Sequence, residues 1–205
     1  MEKFIKYAFR ITHIDNISHI AKYGLVRDNS PLRNEQYVSI GDPQIIHIRK
    51  DLVIQGFRIG DYIPFYFGPR SPMLYVIQHG YNGVKQVPPE KIVYCVIRLK
   101  DIVDNDVDCI FTNGHALSVL TSFFLKSNLP FVNKYVKYND VYSTRWDSDI
   151  DIDLKRRKEA ELLVKTDLAS SFICGYVVYC EGAKARLIEL GIDDSLIVVV
   201  PHYYF

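Results

Sequence analysis

The fifteen residues Asp61–Tyr75, DYIPFYFGPRSPMLY, constrain this chain more than any other stretch. They carry eight aromatic or long apolar side chains, cut by three prolines and one glycine. Tyr62–Phe67 reads as a strand, because aromatics and Ile dominate it and turn residues come directly after. Pro64 argues for an edge position, and Pro69 and Pro72 then stop any ladder, since proline has no N–H to donate. Beyond the strand the chain makes a stiff, aromatic-lined elbow carrying Arg70 and Ser71. It is either a buried edge strand with a rigid exit turn, or a wall that holds flat rings and charges in fixed relation, as a nucleotide pocket requires.

A chain of 205 residues is expected to form one domain, 1–205, with a core that needs neither disulfides nor metal. Its 48% apolar and 24% charged residues mark it as globular rather than disordered. The net charge of +1 excludes a global field for nucleic acid or acidic membranes, so any polyanion site must be a local basic patch. Cys95, Cys109, Cys174 and Cys180 form no C-x-x-C pair, and most lie in apolar runs. They read as small core residues in a reducing compartment, not as zinc ligands or a disulfide frame. The start, MEKFIKYAFRITHID, has no long apolar segment, and no stretch approaches a membrane span. A cytoplasmic protein without membrane or metal is expected.

Tyr7–Thr12 reads as a first strand, and Asp15 or Asn16 caps a helix that Gly24 ends. Gln44–Arg49 is compatible with helix or strand. Met73–Gln78 suggests one or two helical turns. Lys91–Leu99, nearly continuous in β-branched and apolar residues, is a strand, as are Asp108–Thr112, Glu161–Lys165, Ile173–Cys180 and Ser195–Val200. Ala116–Leu125 and Gly182–Leu190 are expected to be helical. Strands outnumber helices without regular βαβ alternation, which predicts an α+β fold.

Tyr142–Lys158 combines Arg145, Trp146 and four aspartates with the cluster Lys155-Arg156-Arg157-Lys158. An apolar core does not absorb so many charges, so a surface loop is expected. It is either a solvated linker or a substrate-facing loop with a phosphate-binding patch and one aromatic for stacking. Other polar residues interrupt apolar strands: Arg10 and Thr12, then Arg49, His115 and Glu161. Singly, each has a bland explanation as a cap, an ion pair or a turn residue. A carboxylate entering a buried strand is costly unless paired or used.

Taken together, Phe9–Asn16 (FRITHIDN), DYIPFYFGPRSPMLY, Phe111–His115 (FTNGH), Ala160–Val164 (AELLV) and the closing His202-Tyr203-Tyr204-Phe205 resemble, in this order, segments of DarT proteins. These are the toxin halves of DarTG toxin–antitoxin systems and ADP-ribosyltransferases of DNA. The resemblance covers nearly the whole chain. It implies a core like that of the poly(ADP-ribose) polymerases and diphtheria-type toxins, with NAD in a split between two central antiparallel sheets. By match to the family pattern, Arg10 and Thr12 hold NAD, with His13 supporting the end of their strand. Tyr66 stacks near the nicotinamide, and Arg70 and Ser71 border the same cleft. Glu161 is the transferase glutamate, Arg49 a catalytic arginine and His115 a further active-site histidine. The loop Asp147–Lys158 takes the place of the substrate-recognition loop, with Arg145, Trp146, Lys155, Arg156, Arg157 and Lys158 as nucleic-acid contacts. A macrodomain antitoxin is the implied partner.

The chemistry suits these residue types. Cleavage of the nicotinamide–ribose bond develops positive charge at the sugar carbon, which an ionised Glu161 stabilises. The acceptor nitrogen must be presented unpaired, which single-stranded DNA does without an unpairing cost. Arg49 assists electrostatically, because an arginine does not give up its proton. Gln55–Gly60 lacks the Gly-Gly-x-Leu-His segment associated with thymidine-modifying members. Thymidine is the first expectation for the acceptor and guanosine the second. The alternatives are a transferase acting on RNA or protein, and a nucleic-acid-binding module without catalysis.

Overall fold

The computed structural model describes residues 3–147 and 149–205. The expectations for the start of the chain and for the Asp147–Lys158 loop therefore lie outside the described residues at positions 1, 2 and 148.

Ten strands and seven α-helices alternate irregularly along the described residues. In chain order they are β1 (Tyr7–His13), α1 (Ile17–Tyr23), α2 (Pro43–Asp51), β2 (Val53–Ile54), β3 (Phe57–Arg58), β4 (Ile63–Tyr66), α3 (Pro72–His79), β5 (Ile92–Arg98) and α4 (Leu99–Asp104). Then come β6 (Cys109–Thr112), β7 (Phe123–Leu125), α5 (Tyr138–Val141), α6 (Leu154–Lys158), β8 (Glu161–Val164), β9 (Ile173–Val178), α7 (Glu181–Glu189) and β10 (Ile197–Val199). Eight strands form a sheet in the order β10-β9-β5-β1-β4-β8-β6-β7, antiparallel except for β9 with β10, and β2 and β3 make a small hairpin. Among the described residues no helix is long and apolar enough to cross a membrane.

β5, β8 and β9 read as nearly continuous apolar runs because both faces of the sheet are covered. Along β5, Val93, Cys95 and Ile97 enter one core, while Ile92, Tyr94 and Val96 enter the other. Phe65, Phe67, Phe111 and Leu162 pack in the first core with α1 and the 126–134 segment. Leu74 and Ile77 of α3 and Tyr204 close the second. Each such side chain stabilises the fold by roughly 1.5–3 kcal/mol relative to exposure.

One seam divides the sheet. β1 pairs with β5 from Tyr7↔Arg98 to His13↔Ile92, and β4 pairs with β8 from Ile63↔Val164 to Tyr66↔Glu161. β1 and β4 meet only at Phe9↔Tyr66. The sheet is thus two halves that touch at one residue pair and open away from it.

Three expectations are corrected. β4 is not at a sheet edge: it lies between β1 and β8. Pro64 is tolerated because its backbone faces the opening seam, where its carbonyl accepts from Arg10 Nη1 at 3.1 Å instead of joining a ladder. Residues 116–122 are not helical. Thr121 Oγ1 donates to the His115 carbonyl at 2.8 Å and Ser122 N–H to Asn113 Oδ1 at 2.9 Å, so side chains close a loop that carries the chain into β7. The charged 142–158 region is not a bare surface loop either. It contains α6 and is fastened through its own ion pairs.

Candidate active site

Glu161 opens β8 directly across from Tyr66, which in turn lies across from Phe9, so the three occupy one row over the seam. The Glu161 side chain is 1% exposed. Arg49, from the last turn of α2, grips it with both terminal nitrogens: Nη1 to Oε1 at 3.1 Å and Nη2 to Oε2 at 2.7 Å. Ala116 N–H donates to Oε1 at 3.0 Å. The backbone is held too, with Glu161 N–H donating to Thr112 Oγ1 at 3.0 Å and that hydroxyl donating to the Gly114 carbonyl at 2.7 Å.

The local sequence explains this arrangement. Asp42 caps α2 by accepting from Gln44 and Ile45 N–H, and Pro43 starts the helix, which aims Arg49 inward from its far end. Ser71 caps α3 in the same way, its Oγ accepting from Leu74 N–H at 3.2 Å, and Pro72 comes next. Gly68 lets the elbow pass against α5, where a Cβ would collide with the Val141 carbonyl.

The electrostatics divide these groups. Burial pushes the Glu161 carboxyl up, yet the Arg49 charge and hydrogen bonds, with His115 and the Ala116 N–H, hold it below its ordinary value. Burial, then Glu161 and Glu159, push the Tyr66 phenol well above its usual range, so it stays protonated. Burial lowers His115 despite the nearby Glu161, which leaves a neutral imidazole at pH 7. Glu159 is raised to about 7, by burial first and Glu161 second, against Lys155, Lys158 and Arg49.

Arg10 reaches the seam, where its charge acts on Tyr66. Thr12 is enclosed: its hydroxyl accepts from Asn16 Nδ2 at 2.9 Å and lies 3.3 Å from Tyr37 Oη. His13 ends β1 as a cap, Nδ1 accepting from Asp15 N–H. Arg70 lies over the Phe205 ring at 4.3 Å, and its buried Nε has no acceptor among the described residues. Ser71 is buried and engaged as the cap of α3.

The basic cluster expected as a phosphate patch is mostly committed internally. Arg156 forks onto Asp153 at 2.7 Å and reaches Thr121 Oγ1 at 3.3 Å. Arg157 binds Asp140, Asp151 and Asp153 at once. Lys158 is 1% exposed, donating to the Pro69 and Val141 carbonyls at 3.2 and 3.1 Å. Lys155 and Arg145 are exposed and have no ion pair among the described residues. Trp146 packs edge-on against Tyr75 and Phe205. Sequence reasoning missed Glu159, for which its period-two spacing from Glu161 was the available signal. Asn16, expected as a possible cap of α1, makes no capping bond there and instead ties Thr12 to the backbone of Val38.

Comparison with known proteins identifies the lineage. The profile of the family described as "ssDNA thymidine ADP-ribosyltransferase, DarT" matches residues 9–205. The chain belongs to the DarT family. A DarT relative from Escherichia coli O127:H6, named DNA ADP-ribosyl transferase, is 32% identical over 183 residues, 87% of this chain and 83% of that protein. Thermus sp. 2.9 DarT in complex with ADP-ribosylated ssDNA superposes with a TM-score of 0.84 at 23% identity, over 100% of both chains. The same protein in complex with NAD+ gives 0.79 at 23% identity, again over 100% of both. A Thermosipho africanus protein named as a fusion of DNA ADP-ribosyl transferase and DNA ADP-ribosyl glycohydrolase is 25% identical over 195 residues, 94% of this chain and 47% of that protein. The DarT resemblance in the sequence is therefore correct, and so is the ADP-ribosyltransferase fold it implied.

Proposed function

We propose that this DarT chain is an NAD-dependent DNA ADP-ribosyltransferase toxin. It attaches ADP-ribose to a base of single-stranded DNA, thymidine first and guanosine second, and releases nicotinamide. One observation carries the reading: Glu161, buried and ionised in the bidentate grip of Arg49, stands across from Tyr66 at the seam between the half-sheets. The single domain over 1–205 belongs to the same proposal.

The residues present fit a dinucleotide. Arg10 at the seam and the unsatisfied buried Nε of Arg70 are donors for the diphosphate or ribose side. The protonated Tyr66 ring supplies a flat wall for nicotinamide. Bound NAD supplies an ADP-ribosyl group on a good leaving group. Glu161 holds negative charge where the sugar carbon becomes positive, already desolvated and oriented, which is worth most in a water-poor site. Arg49 keeps that carboxylate ionised and fixed. The neutral His115 lies within electrostatic reach of Glu161 and Arg49. Arg145, Lys155 and Trp146 are the members of the 142–158 region left to meet a DNA strand.

A macrodomain antitoxin is the proposed partner, supported by the fused glycohydrolase of the Thermosipho relative. Cytoplasmic residence accords with four free thiols. The test is incubation with NAD and single-stranded oligonucleotides of each base, followed by mass measurement. An ADP-ribose increment on thymidine is expected, abolished by Glu161→Gln. An increment on guanosine alone would reassign the base. Increments only on RNA or lysate proteins, or none at all, would overturn the reading.

A further inference from the structure

The C-terminal end of α3 carries rings for which neither the core nor the reaction has a use. Leu74 and Ile77 take the core face of the helix, whereas Tyr75 and His79, one turn apart, share another face with ring centres 4.2 Å apart. The chain then hooks back through Gly80, Asn82 and Gly83, which take left-handed backbone angles of φ +68°, +56° and +73°. The hook sets the Tyr81 ring parallel to that of His79, with the planes 3° apart and the centres at 5.4 Å. Tyr81 is 48% exposed and His79 is exposed as well, so neither ring closes the core.

Behind this pair stand Phe205, 5.0 Å from Tyr75, and Trp146, 5.9 Å from Tyr75 and 5.5 Å from Phe205. Gln78 pins Phe205 to α3, its side chain accepting from the Phe205 N–H at 3.1 Å and donating to the Phe205 carbonyl at 3.4 Å. The backing is therefore fixed before any ligand arrives. Arg70 lies over Phe205, and Lys158 Nζ is 5.7 Å from the centre of Trp146, so positive charge underlies the rings. At its other end α3 starts from the elbow after β4, where the Tyr66 hydroxyl donates to Met73 Sδ at 3.7 Å. One helix thus runs from the seam to the rings.

Resting on the function proposed above, we propose that Tyr81 and His79, backed by Tyr75, Phe205 and Trp146, form a stacking subsite for a base that flanks the acceptor in single-stranded DNA. A solvated pair of flat rings with polar edges suits a nucleobase, and because every base has a π-face the contact is indifferent to sequence. The exposed pair contains no aliphatic side chain, which favours a stacked base over an aliphatic protein surface. From Met73 to His79 the helix rises about 9 Å, or roughly two to three nucleotides at a stacked rise of about 3.4 Å, which makes the held base the second or third from the acceptor. Trp146 ties the subsite to the 142–158 region, the part of the chain already proposed to meet the strand.

The experiment is binding of a fluorescent single-stranded oligonucleotide with one thymidine, at fixed salt and without NAD so that no transfer occurs. It compares wild type, Tyr81→Ala, His79→Ala and Tyr81→Phe. A second set of oligonucleotides lacks one base at each position near the thymidine, on either side. Tyr81→Ala and His79→Ala should each raise the Kd about 5–150-fold, while Tyr81→Phe, which keeps the ring, stays within about twofold of wild type. Wild type should lose a similar factor when the second or third base from the thymidine is missing, and Tyr81→Ala should be indifferent to that loss. NAD affinity and melting temperature should match wild type in all three variants. The assignment is overturned if both alanine variants bind like wild type, or if loss of the ring and loss of a base multiply at every position. A wild-type protein that neither binds nor modifies single-stranded DNA removes the function itself. Modification that is indifferent to both rings removes only the subsite.

Discussion

Protonation of Glu161 would cost the chain its tightest buried ion pair, and the sign of its shift says when. Its folded value lies below the ordinary 4.5, so its contribution to stability is complete above that pH and is lost as pH falls through the lower folded value. Glu159 behaves oppositely. Raised from 4.5 to about 7, it binds its proton more tightly in the folded state, so between those values stability falls as pH rises. Above pH 7 the ionised Glu159 is a standing cost, on the order of 2 kcal/mol once partial exposure is allowed for. Glu159→Gln should therefore melt higher than wild type at pH 8 and nearly equal to it at pH 4. Thermal denaturation at the two pH values checks this, and a lower melting temperature at pH 8 would contradict it. A residue that weakens the fold beside Glu161 is what a functional site would produce, since activity and stability there make opposed demands.

Among the elements, α6 and the segment before it departed furthest from their sequence reading. Four aspartates and five cations in seventeen residues suggested solvent, but most of the charges answer one another. Arg157 bridges α5 to the residues before α6, and Arg156 ties α6 to the loop behind Ala116, whose N–H holds Glu161. The helix thus positions the site from behind instead of offering four cations to a phosphate chain. The two readings separate by salt dependence, because each phosphate contact adds about one to the slope of log affinity against log salt. Lys155→Ala should reduce that slope for single-stranded DNA by about one and leave the melting temperature unchanged. Arg157→Ala should leave the slope and lower the melting temperature by several degrees, because Asp140 and Asp151 lose their cation while Asp153 keeps Arg156. A slope change with Arg157→Ala would restore the basic-patch reading.

For the molecule as a whole, legibility in the sequence depended on how far each interaction reaches. β5, β8 and β9 were legible because burial on both faces writes an apolar run into the strand itself. Glu161 was legible as a carboxylate heading such a run. Pro64 misled because a sheet edge and an internal seam look alike to the local chain, each leaving a backbone group without a ladder partner. The burial of Lys158 was invisible because its two acceptors come from positions 69 and 141. The seam itself is a long-range property, set by the divergence of β1 from β4 beyond Phe9↔Tyr66, and it leads to a prediction for the intact protein. With so little sheet pairing between the halves, a ligand that contacts Arg10 on one side and Tyr66 on the other adds a bridge that the free protein lacks. At NAD concentrations a hundredfold above its Kd, the folded state should gain about 2.7 kcal/mol. For a domain of this size that raises the melting temperature by roughly 5–10 °C. Differential scanning fluorimetry with NAD measures the shift. A module that only binds nucleic acid would show none at millimolar NAD, and that result would remove the dinucleotide from the seam.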